Sequence, residues 1–338
     1  MIKKLIIRDW KSFDEATFHV DPLTILIGAN ASGKSNVLET FLFLTRIASN
    51  VPISQAINGD VNLPPIRGGF EWICRKPSNT FSIELTVEKS ETQDYHYTLS
   101  CTVNDTQAEV FSESLVLEIF PNNEKTVLFE TAKKSHSPGL PTYFSPASQK
   151  HRKQIGLNRS HCVLAQAESL NIRKEVTEAV KILLGKFQSD AMLYCEEGWE
   201  SESHIVDARG MSDGTLRYLA VITALLTRKE NSLLIIEEID NGLHPSRAKN
   251  LINMLKTLGQ ERNIDVVLTT HNPALLNALD NHMLPFITVA HRNDRTGSSL
   301  LTQLEDIEQL PKLMAGGTIG ELSANGKIEK AVKQESGE

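Results

Sequence analysis

The stretch that most limits what this chain can become is Leu23–Leu44, LTILIGANASGKSNVLETFLFL. Five apolar or β-branched residues, Leu23 to Ile27, follow Asp21-Pro22 and predict a short buried strand. Gly28, Ala29, Asn30, Ala31, Ser32, Gly33, Lys34 and Ser35 then match G-x-x-x-x-G-K-[ST], and Asn36 to Ala48 reads as a helix. In that arrangement each residue has a reason. The glycines let the backbone wrap closely around a phosphate. Amides of the loop and of the helix start point at the β-phosphate. Lys34 reaches the β- and γ-phosphates, Ser35 offers a hydroxyl to Mg²⁺, and Asn36, at the helix start, is counted with the nucleotide-binding residues. A strand, a phosphate loop and a helix in this order predict an α/β P-loop nucleotide-binding fold.

Three further stretches are suited to nucleotide chemistry. Leu233–Ile236 is a buried strand ending in Glu237 and Glu238. The first carboxylate suits a Mg²⁺ ligand and the second a base that polarises the attacking water. Ile264–Leu268 is another short strand, ending in Thr269-Thr270-His271, and Asn272-Pro273 opens a helix. One helix, Pro245 to Leu258, separates the two strands, with Pro245 suited to its first position. A histidine at the tip of the neighbouring parallel strand can hydrogen-bond the γ-phosphate. Finally, Met211, Ser212, Asp213, Gly214 and Thr215 open a helix whose apolar spacing at Leu216, Leu219, Ala220, Ile222, Leu225 and Leu226 predicts burial. Ser212 is suited to cap it, which makes a second anion site at a helix N-terminus.

The order of these elements resembles the ABC-type ATPases, and more narrowly the SMC/RecF branch and the stand-alone ATPases related to the OLD (overcoming lysogenization defect) proteins. Ile6–Phe13, IIRDWKSF, is similar to the opening strand of that branch. EEIDNGLHP, Glu237–Pro245, resembles its joined Walker B and D-loop, and TTHNP its switch histidine. The resemblance implies that Met211–Thr215 is a signature motif acting on ATP held by a second copy, so that two chains sandwich ATP head to tail. It also implies ATP and Mg²⁺ as cofactors, with Glu238 and His271 catalytic and Ser35 and Glu237 holding the metal. Some positions depart from the family pattern: Glu237 stands where aspartate is usual, Asp213 and Thr215 replace glycine and glutamine, and His244 replaces an aspartate. No clear Q-loop is visible, and Gln55 is the nearest candidate.

The expected organisation has three parts. Residues 1–50 carry the first part of the ATPase core, and 206–338 carry the second, with signature, acids and histidine. Residues 51–205 form an inserted lobe. Segments Phe70–Cys74, Thr80–Glu88, Tyr95–Val103, Ala108–Phe120 and Thr126–Glu130 read as strands of an antiparallel β subdomain beside a mixed or parallel core sheet. Lys133–Lys150 reads as a loop. His161–Phe187 reads as a small helical lobe, without heptads long enough for a coiled-coil arm. The basic run Gln149–Gln154 reads first as a solvated charged face and second as a nucleic-acid contact. Phe286–Ala290 and Ser299–Leu304 read as two last strands. The tail after His271 is too short and too poor in clustered acids for the Toprim nuclease of OLD-type proteins.

Net charge is −7, and no apolar run reaches the 18 residues of a membrane helix. The four cysteines, Cys74, Cys101, Cys162 and Cys195, form no C-x-x-C pair, so a reduced cytoplasmic chain without a zinc site is expected. The expected activity is that of an ATP-driven dimeric switch in DNA repair or phage defence, acting on DNA or on a separate nuclease-like effector and not on a membrane. A transporter's nucleotide-binding subunit and a P-loop small-molecule kinase are the alternatives.

Overall fold

The computed structural model describes the chain except residues 133–138, 145–152, 168–169, 171, 173, 186–196, 200–201, 205–212, 241–246 and 336–338. The chain folds into two compact units, each interrupted in sequence. One comprises Met1–Val20, Ser32–Gln188 and Arg292–Leu301; the other comprises Asp21–Ala31, Ser189–His291 and Thr302–Glu338.

The first unit is built on an eight-stranded antiparallel sheet. Its strands are β1 (Ile2–Trp10), β2 (Phe13–His19), β4 (Thr80–Ser90), β5 (Gln93–Val103), β6 (Ala108–Ile119), β7 (Glu124–Thr131), β8 (Leu140–Phe144) and β9 (Lys153–Leu157), in the order β2-β1-β4-β5-β6-β7-β8-β9. Strict alternation explains the sheet's one buried face: Phe81, Ile83, Leu85 and Val87 of β4 point inward, as do Tyr95, Tyr97, Leu99 and Cys101 of β5. Helix α1 (Lys34–Ala48) packs in the same unit through Phe43, which meets Trp10 at 5.5 Å and Phe81 at 5.5 Å between ring centroids. Short helices α2 (Ile53–Asn58), α3 (Gly69–Ile73) and α4 (Val163–Ala167), with the longer α5 (Lys174–Gly185), complete it.

A five-stranded sheet, most of it in the second unit, is formed by β3 (Leu23–Ile27), β12 (Leu233–Ile236), β13 (Asp265–Thr269), β14 (Ile287–Arg292) and β15 (Ser299–Gln303), in the order β12-β13-β3-β14-β15. The pairs β12/β13, β13/β3 and β3/β14 are parallel. Every residue of β3 and β13 is buried, as expected of parallel strands covered on both faces. A hairpin, β10 (Glu197–Trp199) with β11 (Glu202–His204), precedes α6 (Asp213–Thr227). Helices α7 (Ala248–Glu261), α8 (Pro273–Leu276), α9 (Leu310–Met314), α10 (Ile319–Ala324) and α11 (Lys327–Glu335) follow. The core of this unit joins Ile25, Leu268, Leu251, Leu255, Leu275 and Val332.

Four features differ from the sequence expectation. Phe70–Cys74 is mostly helix, because left-handed Gly68 and Gly69 (φ 91° and 52°) start a turn and only Ile73 and Cys74 are buried. The loop expected over Lys133–Lys150 contains β8, which a proline at position 141 and flanking serines and glycine disguise. Strands β1 and β2, expected with the ATPase core, lie in the antiparallel sheet with strands of the expected insertion. On α6 the buried apolar residues are Val221 and Leu225, whereas Ala220 is exposed and Leu226 is 54% exposed. The run 149–154 falls largely outside the described residues. No helix among the described residues is long and apolar enough to cross a membrane.

Candidate active site

The phosphate loop takes the backbone form its glycines predict. Gly28, Ala31 and Gly33 all adopt positive φ (140°, 63° and 114°), the left-handed backbone from which anion-binding loops are built. Helix α1 then starts at Lys34 with no side-chain cap and no acidic residue in its first turn, so its dipole favours an anion at that end. Ser32 is 3% exposed, yet its Oγ has no hydrogen-bond partner. A buried hydroxyl of this kind fits a phosphate oxygen. Ala29, Asn30 and Ala31 are exposed, and Lys34, Ser35 and Asn36 are half-buried.

The turn between β1 and β2 fastens the start of α1. Trp10 donates its indole N–H to the Asn36 carbonyl at 3.0 Å, and the Asn36 side chain donates to Ser12 Oγ at 2.6 Å. Ser299 closes the same cluster, donating its hydroxyl to Ser12 Oγ (2.8 Å) and its amide to the Ser12 carbonyl (2.9 Å). Lys11 pairs with Glu39 of α1 and donates to the Arg67 carbonyl at 2.7 Å. Burial lowers the Lys11 pKa, and Glu39 opposes that shift. The Lys11-Ser12-Phe13 segment thus pins the first turns of the phosphate-loop helix. Beside it opens a cleft of about 540 Å³, lined by Lys11, Arg67, Arg75, Lys76, Arg292 and Trp72 together with Ser12 and Asn36. Trp72 is 58% exposed there.

In the second unit, the carboxylates and the histidine emerge at the same edge of the parallel sheet as the end of β3. Glu237 and Glu238 follow β12, and His271 lies two residues past β13. All three are exposed at that edge. Their backbones are braced against one another. Glu238, at the unusual φ of 49°, donates its amide to Thr269 Oγ1 (2.8 Å), and Ile239 donates to the Thr269 carbonyl (3.2 Å). The Thr270 hydroxyl donates to the buried Asp240 carboxylate at 2.6 Å and accepts the Asn272 amide at 3.1 Å. Asn272 caps α8 through Ala274, as the Asn-Pro start predicted. A third support comes from α6, where Arg217 donates to the carbonyls of Glu237 (3.3 Å) and Glu238 (2.6 Å).

The remaining expected site residues divide as follows. Met211 and Ser212 lie outside the described residues, as do His244 and Pro245. Asp213, Gly214 and Thr215 form the first turn of α6, where Gly214 is buried. Gln55 lies in α2, and its side chain bonds Asp60. Sequence reasoning missed Trp10, Ser299, Thr269 and Arg217. Of these only Arg217 carried a signal, a cation two residues past the expected signature motif.

The family model described as "AAA domain, putative AbiEii toxin, Type IV TA system" matches residues 23–277. No curated protein sequence matches the chain. Among solved structures, the SMC head domain from Thermotoga maritima is similar at 16% identity, covering 89% of this chain and 98% of that one, with a TM-score of 0.44. An SMC head bound to the C-terminal winged-helix domain of ScpA gives 14% identity over 90% and 98%, with a TM-score of 0.45. An SMC head with an extended coiled coil, bound to the C-terminal domain of ScpA from Pyrococcus furiosus, gives 12% over 93% and 99%, at 0.41. The family match runs from the strand that feeds the phosphate loop to the helix that follows His271, well over half of the sequence, so this chain belongs to that AAA domain family.

Proposed function

We propose that the chain is an ATP-hydrolysing switch. The observation that carries this reading is the braced sheet edge, where Glu238 and His271 are held in fixed register by Thr269 and Thr270 beside the strand that feeds the phosphate loop. Gly28–Asn36 cradle the triphosphate, and Lys34 neutralises its β- and γ-oxygens. Ser35 and Glu237 offer the hard oxygens that suit Mg²⁺, and Ser32 adds a buried hydroxyl. When bound, Mg²⁺ spreads the charge that builds on the leaving ADP oxygen. Glu238 accepts the proton of the water whose oxygen attacks the γ-phosphorus as the bond to ADP breaks. His271 donates to a γ-phosphate oxygen and orients it. The cationic cleft beside Asn36 and Trp72 suits the remaining phosphate, ribose and base, since it offers charge, hydroxyl and a ring face in one place.

Met211–Thr215, on this reading, act on ATP held by a second copy of the chain. Closure of such a dimer is then read by DNA or by a separate effector protein, which suits phage defence, a toxin–antitoxin pair or DNA repair. Phosphate release from ATP with Mg²⁺ tests the proposal. Lys34→Ala should abolish ATP binding in titration calorimetry while the far-UV circular dichroism stays that of the folded chain. Glu238→Gln should retain ATP affinity and lose turnover by at least about a hundredfold, because an amide cannot take the water's proton. Chelation of Mg²⁺ should stop turnover in every variant. Hydrolysis by Glu238→Gln at the rate of the unmodified chain refutes the assignment of the base.

A further inference from the structure

We infer that Arg217 is a positioning residue for Glu238, tying the helix that opens at Asp213 to the backbone of the catalytic carboxylate. The inference rests on the role proposed for Glu238 and adds to it a residue that nothing in the motif pattern assigns.

Three observations lead to it. First, the two residues whose carbonyls Arg217 grips are the two acids, Glu237 at 3.3 Å and Glu238 at 2.6 Å. Both bonds come from one terminal nitrogen, Nη1, and a charged donor makes them stronger than a neutral pair would be. Second, Glu238 stands at φ 49°, a conformation that a side chain other than glycine adopts only when its surroundings enforce it. Its amide is held by Thr269 Oγ1 on one side, and the next amide, that of Ile239, by the Thr269 carbonyl. Arg217 adds a restraint on the carbonyl. The direction in which the Glu238 side chain leaves the strand end depends on that peptide's orientation. Third, Arg217 reaches this peptide from α6, not from the neighbouring strand. The backbone that bears the carboxylate is therefore held from two elements far apart in sequence, β13 through Thr269 and α6 through Arg217. A cation with no role at the site would be expected to extend into solvent from a helix of this exposure, since a long side chain loses rotamer entropy when it is fixed.

The chemistry follows from geometry alone. Arg217 touches neither substrate nor water in this proposal. It sets where the Glu238 carboxylate sits, and a shift of about 1 Å in a catalytic group costs on the order of a hundredfold in rate. Substrate binding depends on the phosphate loop, whereas the hydrogen bonds of the Arg217 guanidinium go to the carbonyls of Glu237 and Glu238. Its loss should therefore separate the two parameters: turnover falls and ATP affinity does not.

The test compares Arg217→Ala, Arg217→Lys, Glu238→Gln and the double variant Arg217→Ala/Glu238→Gln in the full chain. Steady-state phosphate release gives kcat, and titration with ATP and Mg²⁺ gives Kd. Arg217→Ala should lower kcat by about tenfold or more with Kd within about twofold. Arg217→Lys, which keeps a cationic donor, should recover part of the loss. Added to Glu238→Gln, Arg217→Ala should cause no further loss, because a residue acting through a carboxylate has nothing left to position. If Arg217→Ala does not fold, Arg217→Gln carries the same comparison, with the same loss of kcat at constant Kd expected. Arg217→Ala turning over at the unmodified rate, beside an inactive Glu238→Gln, overturns the arginine's role alone. A tenfold further loss on the Glu238→Gln background, or a fall in kcat matched by equal falls in affinity and melting temperature, also overturns it. Glu238→Gln at full activity overturns the catalytic reading beneath it, and the arginine's role with it.

Discussion

Gly33 shows what a single position in the loop demands. Its φ of 114° is closed to L side chains, and a Cβ built there would stand 2.6 Å from Ser299 Oγ and 2.8 Å from Ser299 Cβ. Ser299 cannot easily yield, since it is fully buried and holds Ser12 through both hydroxyl and amide. Two costs therefore add in Gly33→Ala: backbone strain of roughly 1–3 kcal/mol and a steric clash. We predict a lower melting temperature for Gly33→Ala and partial recovery in Gly33→Ala/Ser299→Gly, which relieves the clash but not the strain. Scanning calorimetry reads both, and a Gly33→Ala melting temperature equal to that of the unmodified chain would sink the argument. The glycine and the lysine beside it were legible from eight consecutive residues. Ser299 was not, because its partner Ser12 lies 287 positions away and no local pattern encodes that meeting. Thr269 was read only as part of the approach to His271, for the same reason: its hydroxyl serves a peptide 31 positions away.

At the scale of elements, Glu113 joins β5, β6 and α4 inside the first unit. Its carboxylate accepts the amides of Val163 (2.6 Å) and Leu164 (2.8 Å) and the Tyr97 hydroxyl (3.0 Å). The Cys101 and Cys162 thiols also face it, and burial raises both of them and Tyr97, so these neighbours stay neutral. Burial likewise pushes the Glu113 carboxyl up to about 7, against the lowering effect of its three hydrogen bonds. The sign of the pH dependence follows. The protonated form is the one the fold prefers, so this contribution is complete below pH 4.5, where folded and unfolded chains are both protonated. It is lost as pH rises toward 7 and does not change above that. The size is at most about 3 kcal/mol. Glu113→Gln keeps the volume and an acceptor oxygen but cannot ionise. We therefore predict that the melting temperature of the unmodified chain, relative to Glu113→Gln, rises between pH 8 and pH 5.5. An unchanged difference across that range would refute the clasp. Strands such as β4, β5 and β6 were legible because alternation persisted over ten residues or so, long enough to fix a period. The five residues of α3 were too few to do so, and the burial expected along α6 was only half met because its apolar residues surround more of the helix than the core covers.

For the whole molecule, the sequence elements fall at both ends of the family match, and what they do together is an assembly question. The loop at Gly28–Asn36 and the motif at Met211–Thr215 are each suited to phosphate, and one ATP needs only one such loop in its own chain. On the reading proposed above, Met211–Thr215 serves a neighbour's nucleotide. Net charge of −7 opposes association by simple attraction, so closure should depend on the nucleotide that bridges the copies. On that reading, an arginine at position 212 would put bulk where the neighbour's γ-phosphate docks, while leaving the loop at 28–36 unchanged. We predict that Ser212→Arg binds ATP as tightly as the unmodified chain but stays monomeric with it. Both measurements are best made on the Glu238→Gln background, where ATP is not consumed. Multi-angle light scattering with ATP and Mg²⁺ should show a dimer for Glu238→Gln and a monomer for Ser212→Arg/Glu238→Gln. Equal masses for the two would mean that the second helix start serves no partner, and that the ATP site is complete within one chain.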